Sequence, residues 1–123
     1  MNEGLIIDDN RQTADALNQM LGVLGFQARV AYGSAAAMAT LGTGFTPSFV
    51  CLDINMPGVD GTEILAYLKR EPRLIPTPVF VITSDDQPET RAKVMKLGAT
   101  TMIIKPATID ALEKAFKTAK MMK

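Results

Sequence analysis

Four apolar segments of strand length each end at a side chain that can bind a metal ion or a phosphoryl group. Asp8 and Asp9 follow the first segment, Asp53 follows a central one, and Thr83 and Lys105 stand at the ends of the last two. An apolar run bounded by turn residues is typical of a strand buried on both faces, as in a parallel sheet. Because ligands of open parallel sheets bind at the carboxyl ends of the strands, we expect these five side chains to form one site.

Three carboxylates at one sheet edge repel one another and raise at least one pKa unless a cation is present. Oxygen ligands alone suit Mg²⁺ or Mn²⁺ rather than Zn²⁺, and we expect Asp8 and Asp9 to hold such an ion. A metal ion, a hydroxyl group and a lysine around one further carboxylate are the groups that hold a transferring phosphoryl group. Asp53 is then the candidate nucleophile, which would form an aspartyl phosphate. Thr83 and Lys105 would each bind one phosphoryl oxygen.

Each of these residues also has a purely structural interpretation. Asp8 and Asp9 could cap the following helix, Thr83 could be an ordinary strand end, and Lys105 could be a surface charge. Each structural interpretation is the better one for its residue taken alone. It would be a coincidence, however, if residues of these types met at one sheet edge for purely structural reasons. The set as a whole therefore favours a functional site.

The elements that must position these residues alternate between strands and helices along the whole chain. Strands are predicted at residues 4–7, 26–31, 49–52, 78–83 and 101–104. Helices are predicted at residues 11–24, 34–42, 60–71, 87–97 and beyond 108, with Asn10, Ser34 and Thr108 as N-caps. This order, with short connections, requires parallel strands, right-handed crossovers and helices on both sheet faces. The expected fold class is therefore an α/β three-layer sandwich.

Composition narrows the class of protein. The chain has 123 residues and is 47% hydrophobic, which predicts one globular domain with its own core. Lys and Arg together number 13 and Asp and Glu also number 13, so the formal net charge is zero. A neutral chain without a long basic run argues against nucleic acid as the main partner.

The chain contains no histidine, which excludes histidine-based catalysis, histidine metal ligands and a phosphohistidine of its own. Its one cysteine, Cys51, lies inside an apolar run and has no second cysteine to pair with, which favours a reducing compartment. The N-terminus has neither a basic region nor a long apolar segment, so no signal peptide or membrane span is expected. We therefore predict a cytoplasmic protein without a membrane partner.

Taken as an ordered set, these segments resemble the CheY-like receiver domain of response regulators in two-component signalling. The matching segments are residues 8–9, 53–58, 60–61, 83–84, 97–99 and 105–106. The resemblance covers essentially the whole chain. It implies one receiver domain over residues 1–123 without an output domain, and a flavodoxin-like (βα)5 fold with strand order 2-1-3-4-5. It also implies a cis peptide bond between Lys105 and Pro106.

The resemblance implies a phosphoacceptor and a metal site. Asp53 would accept a phosphoryl group from a phosphohistidine on a separate histidine kinase or histidine phosphotransfer protein. The metal ion, Mg²⁺ or Mn²⁺, would be held by Asp8, Asp9 and Asp53 and by the backbone carbonyl of Asn55. Asn55 and Asp85 stand where the family tunes the lifetime of the phosphoryl group.

The resemblance also implies a switch, and here the sequence departs from the family. Thr83, Ser84 and Lys105 match the family's phosphoryl-binding and switch group. The switch would change the surface of the fourth helix, fifth strand and fifth helix, which binds a downstream protein. Met102 replaces the usual aromatic switch residue, and Ala107 stands where many members carry Phe. We therefore expect a weaker switch, or one that works through backbone and loop shifts.

Three other classes share parts of this pattern. A haloacid-dehalogenase-type phosphatase also uses an aspartyl phosphate, but Asn55 stands where that family has a second Asp, and the chain is short for its substrate pocket. A flavin-binding domain would need a Ser/Thr-rich phosphate loop after the first strand. A degenerate receiver that only binds proteins remains the main alternative because of Met102.

An isolated receiver domain is expected to be a monomer.

Overall fold

Five parallel strands form a central sheet in the computed structural model, which describes residues 3–123. The strands of this sheet are β1 (Glu3–Ile7), β2 (Gln27–Ala31), β3 (Val50–Leu52), β6 (Val79–Thr83) and β7 (Thr101–Ile104). Two short strands, β4 (Asn55–Met56) and β5 (Val59–Asp60), form a separate pair. The helices are α1 (Arg11–Val23), α2 (Ser34–Gly42), α3 (Gly61–Arg70), α4 (Pro88–Lys96) and α5 (Ile109–Thr118). Residues 1–2 lie outside the described residues. They belong to the predicted domain 1–123 and to the N-terminal segment for which no signal peptide is expected.

The main sheet has the order β2-β1-β3-β6-β7, and every neighbouring pair is parallel. Counted within this sheet alone, the order is 2-1-3-4-5, so the predicted flavodoxin-like topology is confirmed. The register aligns Ile7 with Leu52 and Leu52 with Val81, which brings the carboxyl ends of β1, β3 and β6 to one edge. Among residues 3–123, no helix has the length and apolarity needed to cross a lipid bilayer.

A small antiparallel hairpin, β4–β5, was not predicted from the sequence. Asn55 pairs with Asp60 and Met56 with Val59, across a turn formed by Pro57 and Gly58. Gly58 has a φ of 73°, a left-handed conformation that glycine adopts without a steric penalty. Pro and Gly are typical turn residues, but the two-residue strands on either side are too short to show a periodicity.

The predicted N-caps Asn10 and Thr108 are confirmed, and Asp60, which was predicted as the first residue of a helix, is the N-cap of α3. The side chains of Asn10, Asp60 and Thr108 accept hydrogen bonds from backbone N–H groups in the first turns of α1, α3 and α5. The prediction that Ser34 caps α2 is wrong, because Ser34 is already the first helical residue. The N-cap is Gly33, whose φ of 114° turns the chain into the helix without a side-chain cap.

Apolar side chains fill both faces of the sheet, because successive residues of a strand point to opposite sides. Leu5, Ile7, Leu52 and Met102 belong to the core cluster under α2, α3 and α4. The other cluster lies under α1 and α5 and includes Ile6, Cys51, Phe80 and Phe116, with Cys51 as a buried free thiol. With both faces covered, the carboxyl edge is where polar side chains can gather.

The segment after β3 is held tightly against the start of α3. A Cβ atom at Gly61 would lie 2.3 Å from Ile54 Cα and 3.0 Å from the carbonyl oxygen of Asp53, so only glycine fits there. The Gly61 N–H donates to the Ile54 carbonyl at 3.2 Å. This close approach of two backbone segments fixes the position of the residues that follow β3.

Candidate functional site

The sheet brings the predicted site residues to its carboxyl edge. The backbone N–H of Asp53 donates to the Ile7 carbonyl at 3.0 Å, and that of Lys105 donates to the Thr83 carbonyl at 2.8 Å. Asp8 is held in the same way, through its N–H and the Ala31 carbonyl at 3.2 Å. The parallel ladder therefore continues one residue beyond the apolar runs, and it fixes the backbones that carry the reactive side chains.

Three carboxylates converge at this edge. Asp8, Asp9 and Asp53 each offer an oxygen, and these oxygens all lie within 4.8 Å of one another. Asp8 is 3% exposed and Asp53 is 6% exposed, whereas Asp9 is exposed to solvent. Hard oxygen donors at this spacing are the ligands that Mg²⁺ prefers. The cluster could therefore hold a divalent metal ion, with Asp9 on its solvent side.

Lys105 bridges the two buried carboxylates. Its Nζ lies 3.0 Å from Asp8 Oδ2 and 3.0 Å from Asp53 Oδ2. Burial by itself lowers the pKa of Lys105, but the hydrogen bonds from the ammonium to Asp8 and Asp53, together with the negative charges of both carboxylates, outweigh it, and the pKa is raised. The amine is therefore firmly protonated, and it carries one positive charge against three carboxylates.

The surroundings of Asp53 disfavour the charged form of its carboxyl group. Burial raises its pKa above the ordinary value, although the hydrogen bonds from the Asn55 backbone N–H and from Lys105 act in the opposite direction. One lysine thus does not compensate fully for burial beside Asp8. A bound divalent cation would supply the missing positive charge.

Asn55 contacts the site in two ways. Its backbone N–H donates to Asp53 Oδ1 at 2.9 Å, and its side-chain Nδ2 donates to Thr83 Oγ1 at 3.2 Å. The contact of the Asn55 side chain with Thr83 was not predicted from the sequence, which predicted a metal contact through the Asn55 backbone carbonyl and an effect on the lifetime of the phosphoryl group. The metal contact expected of its backbone carbonyl stays a prediction.

Thr83 lies at the end of β6 and is fully buried. Besides the Asn55 amide, its hydroxyl oxygen accepts the backbone N–H of Asp85 at 3.3 Å. Ser84, which was predicted to belong to the same group, is exposed, and its side chain makes no hydrogen bond within the described part of the chain. The structure thus joins Thr83, but not the Ser84 side chain, to the contacts around Asp53.

Asp85 faces α4 rather than the carboxylates. One of its oxygens accepts the Gln87 backbone N–H at 3.0 Å, and the other accepts the Thr90 hydroxyl at 2.7 Å. The hydrogen bond from Thr90, followed by that from Gln87, lowers the pKa of Asp85. Thr90 was not identified from the sequence. The signal that could have found it is a hydroxyl side chain in the first turn of α4, placed to reach back to a preceding Asp.

Met102, at the predicted switch position, is 5% exposed and belongs to the core cluster beneath α4. It pairs in register with Val81 of β6. The side chain is therefore inside the protein in the conformation described, held by apolar packing alone.

The turn after β7 contains the expected cis bond between Lys105 and Pro106. An apolar cavity of about 430 Å³ lies between this turn and α1, lined in part by Leu17, Ile82 and Ala107.

Comparison with known proteins gives a consistent result. A family model described as "Response regulator receiver domain" matches residues 5–117. The transcriptional regulatory protein FixJ of Bradyrhizobium diazoefficiens is 31% identical over 114 residues, which cover 93% of this chain and 54% of FixJ. The chain thus spans about half the length of that relative. The probable methanogenesis regulatory protein FilR2 of Methanothrix harundinacea is 28% identical over 123 residues, 94% of this chain and 79% of FilR2.

Among solved structures, the signal receiver domain of a DNA-binding response regulator from Colwellia psychrerythraea 34H matches with a TM-score of 0.89 and 31% identity. The match covers 99% of this chain and 100% of that domain. The chemotaxis protein CheY4 of Vibrio cholerae matches with a TM-score of 0.85 at 23% identity, over 95% of this chain and 97% of CheY4, which is a likeness of fold.

Proposed function

Because this chain belongs to the response regulator receiver domain family, we propose that it is a phosphorylation-activated switch in which Asp53 is the phosphoacceptor. The observation that carries the proposal is the setting of this carboxylate. Asp53 is buried, lies among carboxylates that could hold a metal ion, and is contacted by Lys105 Nζ at 3.0 Å. We propose further that residues 1–123 are one receiver domain.

The proposed reaction is transfer of a phosphoryl group from an external phosphohistidine. A carboxylate oxygen of Asp53 attacks phosphorus, the new P–O bond forms, and the P–N bond to the donor imidazole breaks. The imidazole leaves with the bonding electrons and takes up a proton from the solvent. The donor histidine lies outside the given residues, on a histidine kinase or a histidine phosphotransfer protein, since these 123 residues contain no histidine.

The residues around Asp53 would prepare this step. The Asn55 N–H and the Lys105 ammonium each hold one carboxylate oxygen, at 2.9 and 3.0 Å, and so fix the orientation of the nucleophile. The Lys105 ammonium would then pair with a phosphoryl oxygen. Thr83 and Ser84 would supply hydroxyl groups beside it.

Asp8, Asp9 and Asp53, with the backbone carbonyl of Asn55, would hold Mg²⁺ or Mn²⁺. When bound, the ion supplies positive charge that offsets the carboxylates and the phosphoryl oxygens. We expect the chain to catalyse only its own phosphorylation and dephosphorylation. Asn55 and Asp85 would tune the lifetime of the phosphoryl group.

The proposed output is a change in the surface formed by α4, β7 and α5. A groove of about 420 Å³ runs there, lined by Arg91 of α4, Lys114 of α5 and residues of β7 that include Met102. A downstream protein would bind this surface after phosphorylation. A monomeric state and a cytoplasmic location fit this proposal and stay predictions.

A second candidate function is a protein-interaction module that works without phosphorylation. The observation that favours it is Met102, which is buried in the core and lacks the flat ring expected at the switch position. The acidic site described above favours the first function, because a pure interaction module has no need for buried carboxylates bridged by a lysine.

The test is incubation with acetyl phosphate, with and without Mg²⁺, followed by measurement of the intact mass. We expect the wild-type chain to gain one phosphoryl group only when Mg²⁺ is present. The Asp53→Asn variant should gain none, whereas Asp110→Asn, which changes an exposed aspartate of α5, should behave as wild type. A folded wild-type chain that gains no phosphoryl group would leave the interaction module as the better proposal.

A further inference from the structure

Helix α4 begins differently from its neighbours. The N-cap side chains of α1, α3 and α5 accept hydrogen bonds from their own first turns, but the N-cap residue of α4, Gln87, makes no such bond. Asp85, two residues earlier, takes over this role. Its carboxylate accepts the Gln87 N–H at 3.0 Å and the Thr90 hydroxyl at 2.7 Å. The start of α4 is therefore tied to the loop after β6 through one carboxylate.

The same loop is tied to the proposed phosphoacceptor. Asp53 Oδ1 accepts the Asn55 N–H at 2.9 Å, and Asn55 Nδ2 donates to Thr83 Oγ1 at 3.2 Å. Thr83 Oγ1 also accepts the Asp85 N–H at 3.3 Å, and Asp85 Oδ2 accepts the Thr90 hydroxyl. These hydrogen bonds form one continuous path from the Asp53 carboxylate to the first turn of α4.

We infer that Thr90 is a positioning residue that couples Thr83 to helix α4 through the Asp85 carboxylate, an inference that rests on the proposed function. In this protein the path from the phosphorylated site to the output surface runs through hydrogen bonds at the start of α4. It replaces the aromatic side chain that Met102 does not provide.

The direction of the effect follows from the hydrogen bonds of Thr83. Its oxygen accepts two N–H groups, so the hydroxyl proton is available to a further acceptor. A phosphoryl group on Asp53 brings strong acceptor oxygens to that place. When the Thr83 hydroxyl turns toward them, the Asp85 N–H loses its acceptor and the loop is released. The Asp85–Thr90 hydrogen bond then carries the displacement into α4.

Two further observations support this path over one through Met102. Met102 is held by apolar packing, and its flexible side chain can adapt to small shifts without passing them on. Arg91, next to Thr90 in α4, lines the groove that α4 forms with β7 and α5. A displacement of the first turn of α4 would therefore alter that groove directly.

The test compares Thr90→Val, which removes the hydroxyl and keeps the side-chain shape, with Thr90→Ser, which keeps the hydroxyl. Each variant is phosphorylated with acetyl phosphate and Mg²⁺, uptake is measured by intact mass, and the backbone amide signals of α4 are followed by NMR. The Thr108→Val variant is the matched control, because it removes a helix-start hydroxyl from α5 instead.

We expect all variants to take up the phosphoryl group on Asp53. On phosphorylation, the α4 signals should shift in wild type, Thr90→Ser and Thr108→Val. The shift in Thr90→Val should be about fivefold smaller, because losing one hydrogen bond lowers the equilibrium constant for the displaced state of α4 by about that factor. A full α4 response in Thr90→Val, or a lost response in Thr90→Ser, would overturn the coupling role of Thr90. If the wild-type mass shows no uptake, the proposed function fails and this inference with it, so the mass separates the two failures.

Discussion

The acidic site at the ends of β1, β3 and β7 and the packed region around Met102 are held by different forces. In the acidic site, Lys105 lies 3.0 Å from each of two buried carboxylates, so Asp8 and Asp53 share one defined charged partner. Met102 belongs instead to an apolar core cluster that includes Val81 of β6 and Val94 of α4.

This difference indicates in which part of the molecule a substitution costs less stability. A buried charge that loses its partner costs several kcal/mol, roughly 3–5 in measured cases. An apolar side chain replaced by another of similar volume costs less than about 1.5 kcal/mol. The groups proposed to do chemistry are therefore constrained one by one, whereas we expect the packed region around Met102 to accept other apolar side chains of similar volume.

The largest effect that would sharpen this comparison is expected from Lys105→Met, a change of charge with little change of length. Removing the ammonium that orients Asp53 and pairs with the phosphoryl group should slow phosphoryl uptake about 10²- to 10³-fold, as for other single charge-stabilising groups. The rate of mass gain with acetyl phosphate and Mg²⁺ measures this. Lys117→Met, at an exposed lysine of α5, should keep the wild-type rate. An unchanged rate in Lys105→Met would break the comparison, since the acidic site would then tolerate change as well.

An intermediate effect is expected in the packed region. Met102→Ala should lower the free energy of unfolding by about 2–3 kcal/mol, because it removes buried methylene groups and leaves a cavity. Phosphoryl uptake should remain near the wild-type rate. Urea unfolding measures the first quantity, and Met95→Ala, at a side chain that is 42% exposed, is the control for a surface methionine. A strong loss of phosphoryl uptake in Met102→Ala would show that the packing around Met102 also controls the reaction at Asp53.

The smallest effect concerns the pH dependence of stability without Mg²⁺. Because burial raises the pKa of Asp53, the folded state holds the Asp53 proton more tightly than the unfolded state does. Its contribution to stability is thus fully present below the ordinary pKa of 3.8 and is lost as the pH rises through the raised, folded-state pKa. Lys105 stays protonated throughout this range, since its own pKa is raised.

Asp53→Asn cannot lose that proton, so its stability relative to wild type should increase over the same pH range and then level off. Urea unfolding of both proteins in a chelating buffer at several pH values measures the difference, with Asp110→Asn as the matched variant. A difference that shrinks with rising pH would mean that Lys105 compensates fully for the burial of Asp53.

The fold and the location of the site could be predicted because they depend on long, repeated signals. Apolar runs that each end in a polar residue determine which side chains meet at the carboxyl edge, and the structure brings Asp8, Asp53 and Lys105 together there. The family resemblance is likewise confirmed, by a match over residues 5–117.

Features that depend on single backbone angles or side-chain conformations could not be predicted in the same way. The Ser34 cap failed because the positive φ of Gly33, rather than a side chain, turns the chain into α2. The Asp85–Thr90 contact joins a loop to a helix and depends on the rotamer of each residue. Neither leaves a periodic pattern in the sequence.

The close approach of Gly61 to Ile54 has a consequence for protein engineering. Since a Cβ atom at position 61 would lie 2.3 Å from Ile54 Cα, the loop after β3 and the beginning of α3 must be exchanged together. Chimeras that join two receiver domains between residues 53 and 61 would unite segments shaped for different neighbours. Crossover points at the far end of α3 would keep this pair of segments from one parent.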